Sequence, residues 1–295
     1  MKTPIRYAGG KTKAIKTITP FVADYNKIIS PFIGGGSLEV HWASMGKEVI
    51  GHDIFDALVN FWNVLLNRNN ELADKLSEIT PTDVEYRRIK EILMCWDKTQ
   101  EMLAGWKTDF YIRETPIQLD ELTAAAYYFF NHNTSYGPGY LGWGSKIYLN
   151  DTSWGKMVDS IRAFNCPNLS VHKKSYEQAI EENPNEFLYL DPPYFMGQDS
   201  DNKMHSAIYP MKNIPVHHEG FNHEQLRDLL KKHKGNFVLS YNNCETIREY
   251  YSDFEQLFPK WHYSMGNGET RIGKNRKELQ MVNAKDSHEI LIVKR

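Results

Sequence analysis

The apolar run Phe187-Leu188-Tyr189-Leu190 leads without a break into Asp191-Pro192-Pro193-Tyr194, and this junction limits the folds open to the chain. Four apolar residues in succession read as a buried strand. Two prolines end it, because neither carries a backbone N–H and each fixes φ. In open α/β sheets, chemistry sits outside the carboxyl ends of strands. A stiff loop offering one carboxylate, the carbonyls of Asp191 and Pro192, and the flat ring of Tyr194 suits a planar heterocycle bearing an exocyclic NH2. A plain proline turn with a surface tyrosine is the competing reading.

The rest of the chain supplies the sheet. β-rich runs at 27–33, 48–52, 169–172, 187–190, 237–241 and 289–293 alternate with helical patterns at 37–44, 55–67, 176–181, 222–233 and 244–251. Strands alternating with helices predict a Rossmann-like, doubly wound and mostly parallel α/β sheet. The middle differs. Residues 71–98 read as two helices, one starting at the cap-like Thr80-Pro81-Thr82-Asp83, and further helices are expected at 120–131 and 154–164. Between the last two runs a stretch rich in Asn, Gly and aromatics. The predicted division is therefore a catalytic unit of 1–64 with 163–295, and an inserted helical subdomain of 65–162.

The first strand ends in Pro31-Phe32-Ile33-Gly34-Gly35-Gly36-Ser37. Glycines let a ligand approach the backbone, and the helix that follows favours negative charge at its start. Three glycines alone are a weak signal. Asp53, at the end of the next strand about twenty residues on, has the spacing of a carboxylate that takes the ribose hydroxyls of an adenosine cofactor. A dinucleotide is disfavoured, because Glu39 stands where it would repel a pyrophosphate. A sulfonium cofactor meets no such objection, and the loop reads as an S-adenosylmethionine (AdoMet) site with Phe32, Gly34, Gly36 and Asp53 as cofactor-binding residues.

Composition sets limits. The 295 residues, 41% hydrophobic and 24% charged, describe an ordinary globular chain with no run long enough to span a membrane and no N-terminal signal core. Three cysteines, Cys95, Cys166 and Cys244, lack metal-like spacing, so free thiols in a reducing cytoplasm are expected and no metal is indicated. The net charge of −2 argues against a simple polyanion binder. Charge placement matters more: Lys2, Arg6, Lys11, Lys13 and Lys16 form one basic stretch, and Lys260, Arg271, Lys274, Arg276 and Lys277 a second.

Asp191–Tyr194, the glycine loop, His52-Asp53-Ile54 and the opening Tyr7-Ala8-Gly9-Gly10-Lys11 together resemble the Dam-type (α-group) adenine-specific DNA methyltransferases. The likeness covers both flanks, roughly 2–60 and 169–295. It implies AdoMet as cofactor and transfer of its methyl group to the exocyclic N-6 of adenine in double-stranded DNA, with the base flipped out of the helix. Asp191, Pro192, Pro193 and Tyr194 would be catalytic, Asp191 and the Pro192 carbonyl accepting the amine N–H groups and Tyr194 stacking on the base. Tyr7 would pack on the cofactor, Lys11 project over the site beside the cofactor or a DNA phosphate, and Asp191 count among the cofactor-binding residues as well. The family usually has an acid immediately before Pro-Phe; Ser30 stands there instead. The insert resembles the family poorly, so no target sequence follows from it. Lys13, Tyr136, Tyr140, Trp143 and Arg276 are the expected DNA contacts, with 196–218 (Lys203, His205, Lys212, His217, His218) as a second choice. Cytosine N-4 or adenine in RNA remain alternative acceptors, and a catalytically silent nucleic-acid-binding relative a third reading.

Overall fold

The structure is a computed structural model, and it describes residues 1–104, 116–137, 139–195, 220–259 and 289–295. Seven strands form one sheet in the order β3-β2-β1-β4-β5-β7-β6. They are β1 (Lys27–Ser30), β2 (Glu48–Asp53), β3 (Leu169–Lys173), β4 (Phe187–Leu190), β5 (Phe237–Asn242), β6 (Glu255–Leu257) and β7 (Glu289–Lys294). The first five are parallel; β7 lies antiparallel between β5 and β6.

Every residue of β4 and β5 is buried, because the sheet is covered on both sides. Alternate residues serve opposite cores. Phe187, Tyr189, Val238, Leu291 and Val293 join Ile18, Val40, Trp42 and Trp62 on one face. Leu188, Leu190, Leu239, Ile290 and Ile292 face Tyr176, Leu226, Leu230 and Ile247 on the other. Because the chain winds outward from β1 to β3 and returns at β4, the order reverses between β1 and β4. That reversal opens a crevice at the carboxyl ends of the two strands.

The helices are α1 (Ile15–Ile18), α2 (Ser37–Ser44), α3 (Asp56–Ser77), α4 (Asp83–Cys95), α5 (Asp97–Ala104), α6 (Glu121–Thr134), α7 (Asp151–Arg162), α8 (Tyr176–Glu181), α9 (His223–Lys232) and α10 (Glu245–Tyr250). α4 starts as its sequence predicts: the Thr82 hydroxyl accepts from the Glu85 amide at 3.2 Å. The break expected near residue 68 is present as a kink, with Arg68 at the non-helical φ −141° and ψ 37° between the two helical stretches of α3. Propensity and polarity favour a break at Asn67-Arg68-Asn69, but buried Leu65, Leu72 and Leu76 carry the apolar stripe across it. β6 was not expected, being a short polar edge strand. α3 crosses from the sheet into the helical region, and Ile89, Leu93, Phe129, Phe130 and Trp154 of that region share one core with the sheet.

Candidate active site

The glycine loop closes the first wall of the crevice. Gly34 and Gly36 hold φ of 45° and 61°, a region costly for any residue with a side chain. A Cβ on Gly35 would lie 2.3 Å from the Cβ of Tyr7, and one on Gly36 would lie 2.7 Å from the Trp62 ring. The Trp62 indole donates to the Gly34 carbonyl at 3.0 Å. Asp53, at the tip of β2, steadies the loop from the other side: Oδ2 accepts from the Gly34 amide at 3.3 Å and Oδ1 from the Phe55 amide at 3.1 Å. Burial raises the pKa of Asp53, while these amides pull it back. A carboxylate has about four acceptor positions, so both oxygens can still receive a ligand hydroxyl.

The loop after β4 forms the second wall. Lys11, buried in the turn after Gly9-Gly10, donates to Asp191 Oδ1 at 2.8 Å and to the Tyr194 hydroxyl at 3.0 Å, and lies 3.5 Å from Glu289 Oε1. Asp191 is about a quarter exposed, and no described residue donates to its Oδ2 or to the Pro192 carbonyl. Burial opposes the Lys11 charge, but the Asp191 and Glu289 carboxylates outweigh it and hold the ammonium protonated. Burial raises the pKa of Asp191 above the usual carboxylate range, with Lys11 acting the other way.

Two residues that sequence reasoning missed brace this loop from behind. Asn242, at the end of β5, accepts from the Phe195 amide at 2.8 Å and donates to the Phe195 carbonyl at 3.0 Å. Glu289, the first residue of β7, accepts from the Tyr194 hydroxyl, and from Ser240 at 2.9 Å. It is fully inside, and burial pushes its pKa up to about 7 against the pull of Lys11. Asn242 closes one apolar strand and Glu289 opens another, positions where a polar residue reads simply as the strand's limit.

Between the walls lies a cavity of about 430 Å³, within the range of small-ligand sites. Tyr7, Lys11, Phe32, Gly34, Gly36, Asp53, Asp191, Pro192, Pro193 and Tyr194 all line it. Phe32 stacks on Tyr176 with ring centroids 5.5 Å apart. The helical region supplies a third wall through Tyr128, His132 and Tyr140 of α6 and the loop behind it. Tyr7 stacks on His132 at 5.5 Å. The N-terminal arm is clamped by α6, since Asn133 accepts from the Arg6 amide at 2.9 Å and His132 Nε2 meets the Arg6 carbonyl at 2.8 Å.

The expected DNA contacts divide. Tyr140 turns inward, its hydroxyl 2.6 Å from Thr99 Oγ1 and its ring against Phe55. Tyr136 and Trp143 are 63% and 78% exposed, side by side through a 2.7 Å bond from the Tyr136 amide to the Trp143 carbonyl. Lys13 is exposed on the turn that carries Lys11. Of the N-terminal cations, Lys11 is committed inside, and the Arg6 guanidinium sits 3.7 Å over the Tyr148 ring. Arg276, with the stretches 196–218 and 260–277, lies outside the described residues. Among the described residues no cluster suits a metal, the three cysteines are buried and form no disulfide with one another, and no helix is long and apolar enough to cross a membrane.

A doubly wound sheet with a glycine loop at β1, a carboxylate at the tip of β2 and Asp-Pro-Pro-Tyr at the end of β4 defines an AdoMet-dependent methyltransferase fold. The family model of the D12 class N6 adenine-specific DNA methyltransferases matches residues 7–265, and the chain belongs to that family. Membership carries AdoMet as the cofactor. The chain is also similar to Modification methylase StsI of Streptococcus sanguinis, with 22% identity over 300 residues that cover 99% of this chain and 42% of that protein. The chain thus spans less than half the length of this relative.

The residues present fit the cofactor. The cavity has the size for it, Asp53 keeps acceptor capacity towards a ribose, and aromatic rings line the walls. The buried carboxylates suit a cationic ligand and oppose a pyrophosphate.

Proposed function

We propose that this protein methylates the exocyclic N-6 of adenine in duplex DNA, acting on a base flipped out of the helix. The observation that carries this reading is the pairing of two acceptors to which no described residue donates, Asp191 Oδ2 and the Pro192 carbonyl, in the wall of a cavity suited to AdoMet. Family membership and the name of the similar protein, a modification methylase, support it.

When bound, AdoMet supplies a methyl group on a cationic sulfur, which makes that carbon electrophilic. The protein's task is to make the amine nucleophilic, because its lone pair is delocalised into the purine ring. Asp191 and the Pro192 carbonyl each accept one N–H and draw the nitrogen towards tetrahedral geometry. Positive charge developing there meets acceptors already in place, so little reorganisation is needed. Lys11 holds Asp191 by its other oxygen, and Asn242 and Glu289 keep the loop from shifting. The Tyr194 ring offers a flat wall, and base–aromatic stacking contributes on the order of 1–3 kcal/mol. One proton leaves the methylated nitrogen, to Asp191 or to water. Positioning supplies much of the acceleration.

On this reading residues 65–162 form the target-reading unit, with Tyr136, Trp143, Lys13 and Arg276 towards DNA, while Tyr140 belongs to the cofactor wall. The test is incubation with tritiated AdoMet and duplex DNA, single-stranded DNA or RNA, followed by digestion to nucleosides. Label in N6-methyladenine from duplex DNA is expected. Label in cytosine or only in RNA, or none at all, overturns the proposal.

A further inference from the structure

A buried carboxylate in the cavity wall, at the start of α2, has no counter-ion among the described residues. Glu39 stands in the first turn of α2, directly after the glycine loop; it lines the cavity and is only 3% exposed. Its Oε1 accepts from the Ser30 hydroxyl at 2.7 Å, and Ser30 is itself fully buried at the end of β1. The backbone amides of Leu38 and Glu39 at the start of α2 also favour the carboxylate, but among the described residues no lysine, arginine or histidine forms an ion pair with it, and the charge acting on it is the like charge of Asp191. Lys11, the buried ammonium in this wall, is already shared between Asp191 and Glu289.

Buried carboxylates are expensive unless a cation or several donors answer them. An acid in the first turn of a helix does favour the helix dipole, more so when partly buried, but the dipole amounts to only about half an elementary charge and does not balance a full one. That role gives no reason to sink Glu39 into the wall of a ligand cavity. Burial leaves the group with neutral donors and no cation to balance its charge.

The reading given above supplies a ligand with two cationic centres. The sulfonium has no N–H to donate, and its methyl group must face the acceptor amine at Asp191. The α-ammonium of the methionine portion is compact and carries three N–H donors, which is what a desolvated carboxylate needs. We infer that Glu39 is the acceptor for the α-ammonium group of AdoMet, with the Ser30 hydroxyl fixing its carboxylate from behind. Tyr189 and Asp191 are the other titratable groups facing this part of the wall. The inference rests on the AdoMet reading of the site and adds the residue that selects the amino-acid end of the cofactor.

The test is calorimetric binding, with no turnover required, of three ligands to the wild type and to Glu39→Gln. AdoMet carries both cations, S-adenosylhomocysteine keeps only the ammonium, and 5′-methylthioadenosine has neither. Glu39→Gln should weaken the first two alike, by roughly 10- to 100-fold, and leave the third within twofold. Loss confined to AdoMet places Glu39 against the sulfonium and overturns the inference. Equal loss for all three assigns it a structural role, and no loss for any removes it from the site; either result overturns the inference. Glu39→Asp, which keeps the charge but draws it back by one methylene, should show a smaller loss with the same ligand selectivity. It carries the test should the first variant not fold, and a loss without that selectivity overturns the inference. A wild type that binds none of the three ligands instead overturns the AdoMet reading itself.

Discussion

The carboxylates of this site do different work, and single substitutions should separate them. On the proposed mechanism Asp191 acts on charge that develops during the reaction, so Asp191→Ala should abolish turnover while AdoMet affinity stays within a few-fold. On the same proposal Asp53 holds the cofactor ribose, so Asp53→Ala should weaken AdoMet binding by about 1.5–3 kcal/mol. Turnover within tenfold of wild type in the first variant, or unchanged calorimetric affinity in a folded second variant, removes the corresponding role. Glu39 carries a further consequence for stability. Burial pushes its pKa up to about 7, above the ordinary value of 4.5. A carboxyl group with a raised folded-state pKa stabilises the fold fully below the unfolded value, and that contribution is lost as pH rises through about 7. In ligand-free protein, Glu39→Gln should therefore raise Tm relative to wild type more at pH 8 than at pH 5. For a chain of this size the difference is about 2–4 °C for each kcal/mol recovered. A difference in Tm that does not change with pH means that Glu39 does not titrate in this range.

Among the elements, β5 and β7 act as the back support of the catalytic loop. The side chain of Asn242 grips both the amide and the carbonyl of Phe195. Asn242→Ala should lower kcat by roughly 10- to 100-fold through misplacement of the loop, since positional effects of this kind are large. AdoMet affinity should be unchanged, and amide exchange at Phe195 should be faster. Normal exchange together with normal kcat would discard the bracing role. The sequence announced the parts of the site that depend on chain geometry: Asp-Pro-Pro-Tyr, three glycines and a carboxylate about one βα unit later. It was silent on groups whose role depends on which strands become neighbours. Glu289 reads as the start of an apolar strand until β7 is seen inserted beside β5, bringing Ser240 and Tyr194 to it. Likewise Tyr140 and Tyr136 look equivalent in sequence, and only the turn after α6 sends one inward and the other outward.

At the scale of the whole molecule, the sheet and the helical region meet around the cavity, and the exposed aromatic pair lies on the helical side. Base contacts specify a site, whereas phosphate contacts position the protein on it. Tyr136→Ala and Trp143→Ala should raise KM for DNA or relax site preference with AdoMet affinity intact. Lys13→Ala should weaken binding to all sequences alike and flatten its salt dependence. Tyr140→Ala should act on the cofactor instead. Methylation across a library of randomised duplexes, with Tm checked for each variant, distinguishes these outcomes. Unaltered site preference in folded Tyr136 and Trp143 variants would move recognition elsewhere on the surface.

The ion pair between Lys11 and Asp191 closes a loop of 180 residues, the bond from Tyr194 to Glu289 one of 95, and the clamp of Arg6 on Asn133 one of 127. Such closures carry an entropic cost before any contact rewards them, and folds rich in distant contacts form slowly. The pocket is thus the seam where the two flanks of the sequence are drawn together, and it should be the last region to acquire order. During refolding followed by pulsed hydrogen exchange, amides within α3 and α6 should gain protection first, and those of Phe195 and Arg6 last. Early protection of Phe195 would mean that the seam nucleates the fold. In the expected order, a chain that has not finished folding cannot yet hold its cofactor.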